Sequence, residues 1–133
     1  MSECPRDTAT PSPPSRHAPE RGRAGVESGF NYQLHELTGI SGARLADANG
    51  LSAVVVAAAG AVGMPPLGPP VVREGPDGVA VALLCRDGHI VLHTLPDDGL
   101  CLVAVVARAP ADAGRGIEVI SRGLTRDTGR RES

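Results

Sequence analysis

Residues 30–37, Phe-Asn-Tyr-Gln-Leu-His-Glu-Leu, alternate apolar and polar side chains. Period two predicts a half-buried strand. Gly39, Ser41 and Gly42 end it. From Ala43 the spacing changes: Leu45, Ala48, Leu51, Val54, Val55 and Ala58 follow at helical steps, with Asp47 and Asn49 off the stripe. One helix is expected here, closed by Gly60 and Gly63 and stopped by the prolines after Met64. Residues 65–78 are rich in Pro and Gly, with room for a short strand at Val71–Arg73 and a turn at Gly75-Pro76-Asp77-Gly78. Val79–Cys85, His89–Leu95 and Leu100–Ala107 then read as three strands. Arg86-Asp87-Gly88 and Pro96-Asp97-Asp98-Gly99 separate them as turns. Ile117, Ile120 and Leu124 mark a closing helix over Asp112–Leu124. Strand, helix, several strands and helix predict an α+β fold: a two-layer α/β sandwich, an antiparallel sheet with helices on one face.

Composition narrows the folding unit. Residues 1–28 carry five prolines among Arg, Glu, Ser and Thr, with no apolar run. Such a stretch lacks the burial that would offset its ordering entropy, so a disordered tail is expected, and not a secretory signal. Residues 125–133 read as a second disordered tail, leaving 29–124 as the domain. A unit of that size buries a modest core, and pairing between subunits would help it.

Chemistry is bounded by what the chain lacks. All 13 basic residues are Arg, so a lysine Schiff base and a Walker-type phosphate lysine are excluded. Net charge is −2, there is no Trp, and Phe30 and Tyr32 are the only aromatics. A nucleic-acid partner is therefore not expected. No apolar run reaches the length of a membrane span, so no membrane partner is expected either. Three cysteines, Cys4, Cys85 and Cys101, point to reduced thiols in a cytoplasm, and none has metal-ligand spacing. His89 and His93 fall on one face of a strand about 13 Å apart, too far to share a metal.

The most specific stretch is Asp87-Gly88-His89-Ile90-Val91-Leu92-His93-Thr94-Leu95-Pro96-Asp97. It resembles the signature of the bacterial S-adenosylmethionine decarboxylases, Glu-Ser-His-Ile-Ser-Ile-His-Thr-Trp-Pro-Glu, sharing both His, the Thr and the Pro. Glu36-Leu37-Thr38-Gly39 is similar to the family's Glu-Leu-Tyr-Gly. Gly75-Pro76-Asp77-Gly78 stands where it has a Gly-x-x-Gly turn, and Gly116–Ile120 echoes its closing helix. The resemblance spans residues 30–124. It implies the decarboxylase-like sandwich fold, a homodimer with pockets at the subunit interface, and a role in supplying aminopropyl groups for spermidine.

That family cuts its own chain before the signature serine, which becomes a pyruvoyl group, the electron sink for loss of CO2. Here the matching residue is Gly88, which has no hydroxyl to attack with, and no serine lies between Ser52 and Ser121. Asp87 replaces the preceding Glu, Leu95 the aromatic near adenine, and Asp77 the serine that assists processing. The catalytic cysteine's position falls near Ala107 or Arg108. His93 resembles the processing histidine, and Asp97 the acidic residue that contacts the ribose. The expectation is a homologue that does not process itself and carries no cofactor. It would bind an adenosyl or amine small molecule, or regulate an active paralogue. The alternatives are a decarboxylase processed unusually, through Cys85, and a repurposed enzyme using His93 and Asp97 as an acid–base pair.

Overall fold

A computed structural model describes residues 29–131. The elements are β1 (Phe30–Leu37), α1 (Gly42–Leu45), α2 (Ala48–Val62), β2 (Val71–Glu74), β3 (Val79–Cys85), β4 (Gly88–Leu95), a 3-10 turn (Pro96–Asp98), β5 (Leu100–Arg108) and α3 (Ala113–Arg131). The five strands form one sheet in the order β1-β5-β4-β3-β2, every neighbour antiparallel. Helices α2 and α3 cover one face. The expected α+β two-layer sandwich is the observed architecture.

Alternation along the strands splits each into two rows. Val81, Leu83, Ile90, Leu92, Val103 and Val105 point at the helices and are fully buried. Leu51, Val55, Ala58, Ile120 and Leu124 meet them from α2 and α3. Full burial of an aliphatic side chain is worth about 1.5–3 kcal/mol, so this interlayer core supplies most of the driving force.

The single helix expected from Ala43 is two. Ser41 Oγ accepts from Arg44 N and starts α1, and Asp47 Oδ1 accepts from Gly50 N and starts α2. Two N-caps six residues apart override a stripe that reads as continuous. Gly60 lies inside α2. Gly63 closes it, with φ 91 in the left-handed region that glycine tolerates. The closing helix runs on to Arg131, so the C-terminal tail expected from Thr125 is helical over 125–131. Once the apolar part of α3 is nucleated, each added residue costs little, and nothing after Pro110 blocks propagation. The expected tail over 1–28 lies outside the described residues. Among the described residues, no helix is long and apolar enough to cross a membrane.

β1 forms at its predicted residues, but its apolar row faces away from the helices. Phe30, Tyr32 and Leu34 are 62%, 72% and 61% exposed. The helix side carries Asn31, Gln33 and His35 instead. Asn31 is the reason this polarity works. Its Oδ1 accepts from Ala113 N at 2.8 Å, and its Nδ2 donates to Ala111 O at 2.8 Å, clamping the start of α3 to the edge strand. Register then dictates the rest, because each neighbouring residue must take the other face.

Candidate functional site

The signature segment is β4 and the turns at its two ends. Its core-facing row is Ile90, Leu92 and Thr94, and its other row is His89, Val91, His93 and Leu95 on the open face of the sheet. Thr94 is a functional-looking residue with a structural task. Its buried hydroxyl donates to Leu45 O at 2.8 Å and accepts from Val79 N at 3.1 Å, tying α1, β3 and β4 together. The motif thus mixes fold-bearing and solvent-facing positions, which alternation separates.

At the far end of β4 two concavities share one wall, the Gly75–Gly78 turn. A hollow of about 310 Å³ is lined by Asp77, His93 and Leu95 with Arg73 beside them. A smaller one of about 180 Å³ lies on the other side of the turn, lined by Glu74, Asp77 and Asp97. Gly78 lets this turn close: a Cβ there would overlap the Thr94 carbonyl oxygen. Arg73, Ala80 and His93 lie side by side on β2, β3 and β4, so an alanine floor separates two basic side chains. The structure therefore gathers Asp77, His93, Leu95 and Asp97 around one turn.

Asp87 and Gly88 are elsewhere. They lie at the opposite end of β4, about 17 Å from His93 along the strand. Asp87 takes φ 61 in the β3–β4 turn, and Cys85 pairs with Gly88 to close it. Gly88 has no such positive φ. What it supplies is space. A Cβ built there overlaps the Val106 carbonyl oxygen and comes within 2.5 Å of Met64 Sδ. A backbone oxygen in a sheet ladder cannot step aside cheaply, so any side chain at 88 is resisted. Within one chain the six site residues thus form two groups.

A third concavity, about 680 Å³, lies beside Asp87 at that end of the sandwich. Arg86, Asp87 and Arg108 line it together with Met64 and Pro65. Arg108 Nη1 stands 3.9 Å from Asp87 Oδ2, a loose and half-exposed ion pair. Sequence reasoning passed over Arg86 and Arg108, since arginines 22 residues apart carry no motif; only the β4–β5 pairing, which sets His89 against Val106, brings them near.

The two described cysteines are both buried and unpaired. Cys85 Sγ lies 4.0 Å from Leu83 O, and burial pushes its thiol up. Burial pushes Cys101 up to about 11 from an ordinary 9.0. Neither is poised as a thiolate. For Cys101 the sign follows. The unfolded chain ionises from pH about 9 while the folded chain holds its proton, so stability is intact below that pH and falls as pH rises through 11. Cys101→Ala is expected to remove about 2 kcal/mol of that alkaline loss near pH 11. Urea midpoints of parent and variant at pH 8 and pH 11 measure it, and parallel losses in both would refute the assignment.

Among the described residues no three His, Cys, Asp or Glu side chains are grouped to hold a metal. Compared with known proteins, residues 32–131 match a family model described as S-adenosylmethionine decarboxylase. No curated protein matches the chain. Among solved structures it is similar to the crystal structure of the adenosylmethionine decarboxylase from Aquifex aeolicus VF5. The TM-score is 0.67 at 19% identity, covering 74% of this chain and 82% of that one. At that identity the likeness concerns the fold.

Proposed function

This chain belongs to the S-adenosylmethionine decarboxylase family, and from that premise we propose that it is a member that stays uncut. It acts as a ligand-binding or regulatory homologue in polyamine biosynthesis. The observation that carries the proposal is Gly88. The residue has no hydroxyl to attack the preceding carbonyl, and its surroundings leave no room for a Cβ. The residues at this position do not fit a self-derived pyruvoyl group. Cys85 is a poor substitute, being buried, raised in pKa and on the far side of the turn. An acid–base pair of His93 and Asp97 finds little support either, since the Gly75–Gly78 turn stands between their hollows.

The ligand in this proposal is an adenosyl or amine-bearing small molecule. His93 and Leu95 would receive it on the open face, with Asp77 and Asp97 supplying negative charge for an amine or hydrogen-bond acceptors for a ribose. The partner is a second copy, with an active paralogue as the other partner of the same shape. Two observations support a pair. The open face carries exposed large apolar side chains, with Leu84 63% and Leu102 39% exposed beside the β1 row. The six site residues also lie at the two ends of one strand, and an antiparallel copy laid on that face would bring the ends together. The buried reduced thiols suit a cytoplasmic setting.

Intact mass of the purified full chain tests the central claim. One species at 13.6 kDa is expected. Hydroxylamine should leave that mass unchanged, because no reactive carbonyl is present. Two fragments, the second with a blocked N-terminus, would return the active decarboxylase to first place. Titration with S-adenosylmethionine then asks whether the hollows bind; perturbation of backbone amides around Gly75–Gly78 and His93 is the expected response.

A further inference from the structure

Side chains on the open face form rows that run across the strands. From them we propose that a second copy sets each His89 against His93 of the other, a pairing that acid opens. The inference rests on the second copy proposed above. Register defines the rows. Leu34, Ala104, Val91, Ala82 and Val71 make a middle row, apolar throughout. One step along the strands to one side lie Tyr32, Val106, His89 and Leu84, and one step to the other lie Glu36, Leu102, His93, Ala80 and Arg73. A two-fold axis along the middle row lays the copies antiparallel and sets the His89 row of each on the His93 row of the other. Val106 then meets Leu102, Leu84 meets Ala80, and Tyr32 brings its hydroxyl to Glu36. β4 is the middle strand of five, so the imidazoles sit near the axis, where the twist between packed sheets displaces residues least. Facing sheets stand about 10 Å apart, and side chains from both fill that gap.

The charges nearby do not hold these imidazoles in their ionised form. Glu36 and Arg73 lie two strands to either side of His93, about 10 Å away and opposite in sign. Asp77 is exposed in its turn, where water and salt screen it. Asp87, beyond His89, faces Arg108, with Arg86 in the same turn. The copy's row over His93 contains no carboxylate. Enclosure between apolar side chains disfavours the charged imidazole, and two facing imidazoles disfavour it further. Pairing therefore excludes protons that the separated chains take up, and it weakens as pH falls through the imidazole range. An imidazole ordinarily titrates near about pH 6.5, so each excluded proton raises the dissociation constant about tenfold one unit lower. One proton per contact, two per dimer, gives about a hundredfold.

Sedimentation equilibrium of the full chain at about pH 8 and about pH 5.5, at one ionic strength, reads that constant. A rise of about a hundredfold is expected at the lower pH. The sign discriminates, because a pI of about 6.0 leaves little net charge there and would by itself favour association. The double variant His89→Gln with His93→Gln should pair at pH 8 and change by less than about threefold at pH 5.5. Both side chains point away from the core, so it should keep the parent's thermal midpoint. His35→Gln is the control. That imidazole contacts Gln33 on the helix side of β1, and its variant should keep the full response. A parent that pairs equally or more tightly at pH 5.5 would overturn the inference and leave the second copy standing. So would a full response in the double variant, or its loss in His35→Gln. A parent monomeric at pH 8 would remove the copy itself, and this inference with it.

Discussion

Gly88→Ser is expected to leave the chain uncut and to destabilise it. Restoring the hydroxyl restores the atom that attacks in the family, but not the place for it. The new Cβ overlaps the Val106 carbonyl oxygen, and Met64 Sδ stands 2.5 Å from it. The Met64 side chain is flexible and borders a concavity, so the obstacle that cannot move cheaply is the Val106 carbonyl in the sheet ladder. Either β5 shifts from the β3–β4 turn or the turn opens. Overpacking of this kind costs about 1–3 kcal/mol. For a domain of this size that lowers the melting midpoint by about 4–8 °C per kcal/mol. Gly88→Ala separates the two effects, because it carries the same Cβ and no hydroxyl. Both variants should show the full mass and similar losses in urea. Cleavage of Gly88→Ser into two fragments would end the account, since a lone serine would then suffice. A third variant, Gly88→Ser with Asp77→Ser, restores the assisting serine as well. It too should stay whole, because a serine at 77 does nothing to relieve the overlap of the new Cβ at 88 with the Val106 carbonyl oxygen.

The strands were legible because burial on one side imposes period two, and β3 formed at its predicted residues. The helices were legible as a stripe and misread as one, since a stripe records which face is buried and not where the backbone is interrupted. Asp47 held that information as a cap. β1 was placed correctly and turned the wrong way. Alternation shows that two faces differ, but which face meets the helices was decided by Asn31 and its two bonds to the start of α3. The site followed the same division. The resemblance led to His93 and Asp77, and the fold put them beside one hollow. It also led to Gly88 as a lost serine. That the glycine occupies a space closed to other residues depends on Val106 and Met64, 18 and 24 positions away, and spacing along the chain does not carry it.

Leu34→Glu is expected to turn a dimer of about twice 13.6 kDa into a monomer. Leu34 lies on β1 opposite Ala104, with Tyr32 opposite Val106 beside it, so the row continues the apolar surface of β5. On the open face it is 61% exposed, a large aliphatic side chain that no other described residue of the single chain covers. Covering such a side chain is worth about 1.5–3 kcal/mol, and burying an unpaired carboxylate in its place costs several more. Two-fold symmetry applies both terms twice. A loss of at least ~4 kcal/mol follows, or about a thousandfold in dissociation constant. The control is Val56→Glu. Val56 is 43% exposed on α2, on the helix layer, and its variant should remain a dimer. Light scattering behind a sizing column reads all three proteins at tens of micromolar. A monomeric parent would remove the second copy from the proposal. A dimer unaffected by Leu34→Glu but broken by Val56→Glu would move the interface to the helices, and the two halves of the site at the ends of β4 would then have no copy to join them.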